Sequence, residues 1–238
     1  MKKRLAVFDI DGTIFRSSLL ISLVEGLIQE GVFPASVKKE IEKDYLEWIN
    51  RKGHYLNYIS KVVKVYIKYL KGSKEDRLKK VAKRVILKDK DKVYRFTRDL
   101  AKDLKRKNYF LLAISGSPSY IVSYFADEMG FDQYFASEFE VKKGVFTGKS
   151  LLLPAEGSKG ELLKKFISMS KTNFDLKNSI GVGDEIGDVK MLELVGKPIA
   201  FNPTLELARY AKKRGWRIVV ERKDVVYDIK DFSFETTS

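Results

Sequence analysis

Near the amino terminus, Leu5, Ala6, Val7 and Phe8 run without polar interruption into Asp9, Ile10, Asp11, Gly12 and Thr13. A short apolar run of this kind suits a strand covered on both faces, as in parallel sheets. In open parallel sheets ligands bind beyond the carboxyl ends of the strands, which puts Asp9 and Asp11 at an active edge. If the strand continues through both acids, side chains two apart share a face and the two carboxylates converge on one ligand. Gly12 permits the turn that follows. The same residues also fit a strand closed by an Asx-type turn with no chemistry attached, and the stretch alone does not choose between the two.

After Thr13 the pattern becomes helical. Leu19, Leu20, Leu23, Val24, Leu27 and Ile28 recur at helical spacing up to Gly31, and Pro34 can open a new helix. Helical patterns continue over residues 35–70 and 74–88, punctuated at Gly53 and at Gly72 and Ser73, with no strand signal among them. Val93, Phe96, Leu100, Ala101 and Leu104 mark one more helix, and residues 109–114 read as a second buried strand. From there strands and helices alternate. A helix follows Pro118, and short strands at 135–141 and 145–150 flank a turn at Lys142, Lys143 and Gly144. A helix over 159–169, a strand over 178–183 and a helix through Met191 and Leu194 come next. Strands at 197–201 and 216–220 surround a helix at 204–214. This alternation predicts an α/β fold with a mainly parallel sheet flanked by helices.

A strand, helix and strand need only about 30 residues. Ser115, at the end of the second strand, lies 106 residues beyond Asp9. An inserted helical piece is therefore expected at residues 16–88, directly after the two acids, where it can close over them, exclude water and select substrate. The core then comprises residues 1–15 and 89–238.

Composition narrows the alternatives. The 238 residues are 44% apolar and 33% charged, which suits a globular chain with a full core. Cysteine is absent, which removes disulfides and thiolate metal sites and agrees with a reducing cytoplasm. Too few apolar residues follow Met1, Lys2, Lys3 and Arg4 for a signal peptide, and the longest apolar stretch, residues 19–28, is far short of a membrane span. A cytoplasmic protein, monomeric or homodimeric, is expected. Residues 61–107 hold 19 Lys and Arg against 6 Asp and Glu and so carry nearly all of the net charge of +14. Lys61, Lys64, Lys68 and Lys71 lie opposite the apolar stripe of Ile59, Val62, Val63, Tyr66, Ile67 and Leu70, the pattern of a solvated helix face. The same charge attracts anions, which keeps nucleic acid or acidic lipid as a less favoured partner beside a phosphorylated substrate. His54 stands alone, without companion ligands, and is read as structural.

Three further signals fall where such a fold places a site. Ser115, Gly116 and Ser117 end the second strand, so a hydroxyl and the N–H groups of the next helix can hold phosphate. Gly181, Gly183, Asp184, Glu185 and Asp188 close another strand with three acids in five positions, a suitable donor set for octahedral Mg2+. Capping of a helix start explains some of these acids but not the cluster. Lys159, ahead of Gly160, Glu161 and Leu162, carries little information by itself.

Taken together, these pieces resemble the haloacid dehalogenase superfamily. Phe8, Asp9, Asp11, Gly12 and Thr13 match its first motif, Ser115 its second, Lys159 its third, and Gly183, Asp184 and Asp188 its fourth. The helical insertion looks like the type 1 cap of the phosphoserine phosphatase-like subgroup. Ala200, Phe201, Asn202 and Pro203, with Leu205, Leu207, Gly215 and Trp216, are similar to that subgroup's tail.

The resemblance implies a Rossmann-like core with a helical cap and a Mg2+-dependent phosphatase, with phosphoryl transfer to another acceptor, or binding without turnover, as alternatives. It implies Asp9 as the nucleophile that forms an aspartyl-phosphate, a group ionised at neutral pH if its pKa stays near ~3.9. A carboxylate approaching a phosphate dianion at ~3 Å costs about 11 kcal/mol at an effective dielectric of ~20. Mg2+ held by Asp9, the Asp11 carbonyl and Asp184, with help from Ser115 and Lys159, is implied to offset that repulsion. Asp11 is implied as general acid and base, and Asp188 as the group that positions Lys159 or a metal-bound water. Thr13 and Gly116 complete the implied phosphate pocket, and Arg16 hints at an acidic substrate. Phosphoserine phosphatases usually carry a Glu five residues beyond the threonine of the first motif. Ser18 stands there in this chain, which argues against phosphoserine.

Overall fold

The computed structural model describes residues 2–154 and 158–233. The first strand, β1 (Leu5–Asp9), is buried at every position, as an uninterrupted apolar run requires when a sheet is covered on both faces. Four helices follow it: α1 (Leu19–Gln29), α2 (Ser36–Ile49), α3 (Tyr55–Leu70) and α4 (Glu75–Asp89). Next come α5 (Arg95–Arg106), β2 (Phe110–Pro118) and α6 (Ser119–Met129). The hairpin β3 (Gln133–Lys142) and β4 (Val145–Leu152) precedes α7 (Lys159–Met169) and β5 (Ile180–Gly183). The short α8 (Val189–Leu192), β6 (Lys197–Phe201), α9 (Leu205–Arg214), β7 (Arg217–Arg222) and β8 (Val225–Ile229) complete the chain.

The strands form one sheet in the order β4-β3-β2-β1-β5-β6-β7-β8. All neighbours pair in parallel except the terminal pairs β3 with β4 and β7 with β8. From β1 the chain builds outward through β2 and β3, then returns to the other side of β1 to begin β5. The strand order therefore reverses at β1 and β5, and the crevice beyond their carboxyl ends is where such sheets bind ligands. Asp9 and Asp184 stand at those two ends.

Two apolar layers cover the sheet. On one face Leu5, Val7, Leu112 and Ile114 pack with Leu163, Met191, Leu192 and Leu207 from α7, α8 and α9. On the other, Ala6, Phe8 and Ala113 join a larger core that continues without a break into α1, α3 and α4 through Leu23, Leu27, Val62, Tyr66, Val81 and Val85. The helices between β1 and β2 are thus packed against the sheet side of the molecule. Ring contacts of Tyr66 with Phe33 and Phe139, and a 2.6 Å hydrogen bond between the Tyr66 and Tyr120 hydroxyls, join α3 to the turn after α1, to β3 and to α6.

Most of the expected elements are present, with three differences. β2 runs on through Ser115, Gly116 and Ser117 to Pro118, with an irregular register against β3, so the extended segment is longer than the apolar run at 109–114. The helix expected through Leu194 is a 3-10 turn at Ile186–Asp188 followed by a single helical turn that ends at Leu192. β8 was not expected. It is an edge strand with Val225, Val226 and Tyr227 exposed, so it lacks the buried alternation that marks a strand.

The basic run is divided among α3, α4 and α5, and part of its charge is met by acids: Lys68 pairs with Glu40, Lys79 with Glu75, Lys90 with Glu128 and Lys105 with Asp132. His54 is exposed at the start of α3. Among the described residues no helix is long and apolar enough to cross a membrane.

Candidate active site

Asp9 ends β1 in a nearly sealed position, 3% exposed. Its Oδ1 receives the Lys159 ammonium at 2.6 Å, and its Oδ2 is buried without a hydrogen-bond partner among the described residues. An orphaned carboxylate oxygen is costly in a folded interior and marks a place for a cation or a donor from a ligand. Lys159, the first residue of α7, also lies 2.6 Å from Asp188 Oδ1 and is itself mostly buried. The other Asp188 oxygen accepts the N–H groups of Asp184 and Glu185 at 3.0 and 3.1 Å. Asp188 therefore holds both the lysine and the loop beyond β5. Gly183 is obligatory there, since a Cβ would sit 2.5 Å from the Asp188 carboxylate.

Asp184 comes from the next strand end. Its Oδ1 accepts the Thr13 hydroxyl at 2.8 Å, and its Oδ2 lies where a Cβ on Gly12 would meet it at 2.3 Å. Gly12, at φ +83, turns the chain away from β1 and leaves that space open. Oxygens of Asp9, Asp184 and Asp188 all fall within 4.8 Å of one another. With Lys159 and two N–H groups already occupying Asp188, the oxygens open to a divalent ion are Asp9 Oδ2 and Asp184 Oδ2. A hard, oxygen-seeking ion such as Mg2+ fits that donor set, with water or substrate oxygens filling the rest of its shell.

The electrostatics agree. Burial pushes the Asp9 carboxyl up to about 8 against the pull of Lys159, and the charges of Asp188 and Asp11 add to the rise. Burial likewise raises Asp184 well above the carboxylate range, with Asp9, Asp188 and Glu185 contributing. For Lys159, burial alone would lower the ammonium, but Asp188 and Asp9 hold it well above its ordinary value. Burial first, and then the neighbouring acids, thus shift the metal-free Asp9 and Asp184 toward their protonated forms, a direction that an ordinary carboxylate pKa does not include.

Asp11 departs from strand alternation. The strand ends at Asp9, and the Asp11 carboxylate turns to Ser115 Oγ at 2.6 Å, Ser117 Oγ at 3.0 Å and the Leu19 N–H at 2.6 Å. It lies outside the three-acid cluster, so Asp9 and Asp11 do not converge on one ion through their side chains. Ser115 is fully buried, whereas Gly116 is exposed at the edge with its carbonyl held by Ser137 at 2.6 Å. Thr13 is buried, donates to Asp184 and lends its carbonyl to Thr97 at 2.9 Å. Arg16 is exposed and lies over the Tyr94 ring at 5.6 Å, away from the acids' hydrogen bonds. Ser18 caps α1, accepting the Leu20 N–H at 3.2 Å.

Two residues near the acids were given no role of their own by sequence reasoning. Ser117 shares the face of Ser115 by strand alternation, which is the signal that could have found it. Tyr55, the first residue of α3, is braced by Trp48 at 5.2 Å between ring centres. Burial pushes its phenol up, and Asp11, Glu185 and Asp184 push it further, so this ring from the inserted helices lies within electrostatic reach of the acidic edge. Helical periodicity says nothing about which helix end approaches the site.

Comparison with known proteins gives the same picture. The sequence model of the haloacid dehalogenase-like hydrolases matches residues 6–193. A phosphoserine phosphatase of Methanocaldococcus jannaschii is 27% identical over 226 residues, spanning 94% of this chain and 95% of that protein. Among solved structures, a Bordetella pertussis protein of unknown function superposes with a TM-score of 0.75 at 19% identity, covering 92% of this chain and 98% of that one. A phospho-aspartyl intermediate analogue of phosphoserine phosphatase superposes with a TM-score of 0.62 at 25% identity, covering 94% and 96%. A Lys-clamped aspartate at the end of the central strand, the acids of the neighbouring strand and a family match over most of the chain lead to one assignment: the chain belongs to the haloacid dehalogenase-like hydrolases and is phosphoserine phosphatase-like within them.

Proposed function

We propose that the chain is a Mg2+-dependent phosphatase that hydrolyses a small phosphomonoester through an aspartyl-phosphate on Asp9. The observation that carries this reading is the division of labour at Asp9, with one oxygen clamped by Lys159 and the other buried and unpartnered at the carboxyl end of the central strand. The likeness to a phosphoserine phosphatase over nearly the whole of both chains supports it.

Asp9 and Asp184 are the residues suited to hold the metal. Bound there, Mg2+ supplies the positive charge that offsets repulsion between Asp9 and a phosphate dianion. Because burial and mutual repulsion raise both carboxyls, a bound ion competes with protons for them. Asp9 then attacks phosphorus as its bond to the leaving alcohol breaks, and Asp11 delivers a proton to that alcohol. In the second half Asp11 takes a proton from water, the water oxygen attacks phosphorus, and the bond to Asp9 breaks. Lys159, fixed by Asp188, and Ser115 hold phosphoryl oxygens as charge builds on them. Thr13 keeps Asp184 oriented.

Residues 16–88 act as a cap on a core of residues 1–15 and 89–238, meeting the acids through the Leu19 N–H on Asp11 and bringing Tyr55 within their electrostatic reach. The substrate need not be phosphoserine. At the position where phosphoserine phosphatases usually carry Glu, this chain buries Ser18 as a helix cap, so an amine finds no carboxylate there.

Phosphate release from phosphoserine, phosphosugars, nucleotides and phosphocholine, measured with Mg2+ or EDTA and with Asp9→Asn as control, tests the proposal. Release that needs Mg2+ and vanishes in Asp9→Asn is expected. Turnover retained by Asp9→Asn would overturn it.

A further inference from the structure

Ser117 has no part in the reaction as described, yet it is among the most constrained polar side chains near the site. It is buried, and its hydroxyl lies 3.0 Å from each oxygen of Asp11. The same oxygen accepts the Leu20 N–H at 3.0 Å. A hydroxyl carries one proton, and the Leu20 N–H must be the donor in its bond, so Ser117 gives its proton to Asp11. Asp11 is thereby held from three directions: by Ser117, by Ser115 and by the Leu19 N–H.

These three holders are not equivalent in the proposed reaction. Ser115 Oγ, 2.6 Å from Asp11 Oδ2, also accepts the Ser117 N–H at 3.0 Å. Its single proton cannot serve Asp11 and a phosphoryl oxygen together. Once Ser115 turns to phosphate, only Ser117 and the Leu19 N–H remain on the Asp11 carboxyl. Both are anchored in the first turn of α1, since Ser117 is itself pinned by the Leu20 N–H.

Resting on the hydrolysis proposed above, we infer that Ser117 is a positioning residue that keeps the Asp11 carboxyl aimed for proton transfer while Ser115 is engaged with phosphate. The inference ties proton transfer to the seating of α1, the first helix of the inserted segment. A Ser117 that only satisfies a buried N–H would have no such influence on proton transfer.

Leaving-group chemistry separates the two cases. An alkoxide leaves only with a proton, whereas nitrophenolate leaves without one. For Ser117→Ala, kcat/KM, which reports only the steps up to departure of the alcohol, is expected to fall about 10- to 100-fold for alkyl phosphomonoesters, while kcat/KM for p-nitrophenyl phosphate changes less than about threefold. Ser117→Cys keeps the volume but is a weak donor and is expected to show the same selective loss, so the test survives if the alanine variant folds poorly. Ser117→Thr retains the hydroxyl and is expected to restore alkyl ester turnover. Equal losses in kcat/KM on both ester types, or unchanged alkyl kcat/KM in the alanine and cysteine variants, would overturn the role of Ser117 while leaving the phosphatase reading intact. A wild-type protein that hydrolyses neither ester would overturn both.

Discussion

Lys159 places its ammonium 2.6 Å from the Asp9 carboxylate, joining the first residue of α7 to the last residue of β1 across 150 positions of sequence. The pair is largely removed from water, so its members depend on each other more than exposed partners would. Lys159→Met keeps the length of the stem but removes the charge. It is expected to lower kcat/KM by about 10²- to 10³-fold, the usual cost of losing one preorganised charge on a developing anion. Steady-state kinetics on the best ester at saturating Mg2+ would measure this. A loss below about tenfold would remove Lys159 from the reaction.

The crowding of acids around that lysine makes stability depend on pH and on metal. Asp9 is raised from its ordinary 3.8 to about 8, so between those values the native chain binds protons that the unfolded chain has released. Stability therefore falls as pH rises through this window in the absence of metal, and Asp184 contributes with the same sign. The raised Lys159 loses its contribution only above its ordinary value of 10.5, beyond the window. In EDTA the thermal midpoint is expected to be lower at pH 8 than at pH 5.5. Added Mg2+ should raise it more at pH 8, where fewer protons must be displaced. A metal-free midpoint that rises across this range would contradict the burial of these acids.

Asp9→Asn tests the same balance from the other side. The amide removes one buried negative charge while keeping a carbonyl for Lys159. In EDTA at pH 8 the variant is expected to melt above the wild type, by about 2–4 °C for each kcal/mol of repulsion relieved. It should also lose most of the stabilisation by Mg2+. Calorimetry of the two proteins side by side would show whether the nucleophile is held at a cost in stability.

Much of this arrangement is legible in the chain. The apolar runs ending at Asp9, Ile114 and Gly183 identify the three central strands, because strands covered on both faces admit no polar interruption. Their acids and serine fall at carboxyl ends as parallel topology requires. Side-chain choices beyond the strand ends are not legible. Periodicity pointed Asp11 along the face of Asp9, but the turn at Gly12 ended the strand early and gave Asp11 to Ser115, Ser117 and the start of α1. The upward shift of the Asp9 carboxyl comes from its burial and from acids that meet it from elsewhere in the chain, which no local pattern reports. β8 escaped notice because an edge strand with open faces carries no core pattern.

Gly12 lies directly against an Asp184 oxygen proposed to hold the metal. Its φ of +83 strains any residue with a side chain, and a Cβ there would come 2.3 Å from Asp184 Oδ2. Asp184 would have to rotate, breaking its 2.8 Å bond from Thr13. Gly12→Ala is expected to weaken Mg2+ binding by about 10- to 100-fold, the range seen when groups that orient metal ligands are disturbed. Titration calorimetry with Mg2+ measures this directly, without reliance on turnover. Thr13→Val removes only the orienting bond and should fall nearer the lower end of that range.

The joint between the inserted helices and the sheet side rests partly on one buried polar contact. The Tyr66 and Tyr120 hydroxyls lie 2.6 Å apart, and both phenols are pushed up by burial. Tyr66→Phe would leave the Tyr120 hydroxyl buried without its partner, at a cost of about 1–3 kcal/mol. Removing both hydroxyls leaves no orphan, since the rings keep their contacts with Phe33, Phe139 and Phe146. Tyr66→Phe with Tyr120→Phe is therefore expected to be closer to wild type in urea unfolding than Tyr66→Phe alone, a coupling that a double-mutant cycle would read. Additive losses would mean that each hydroxyl finds water on its own, and that α3 sits less tightly on α6 than this contact implies.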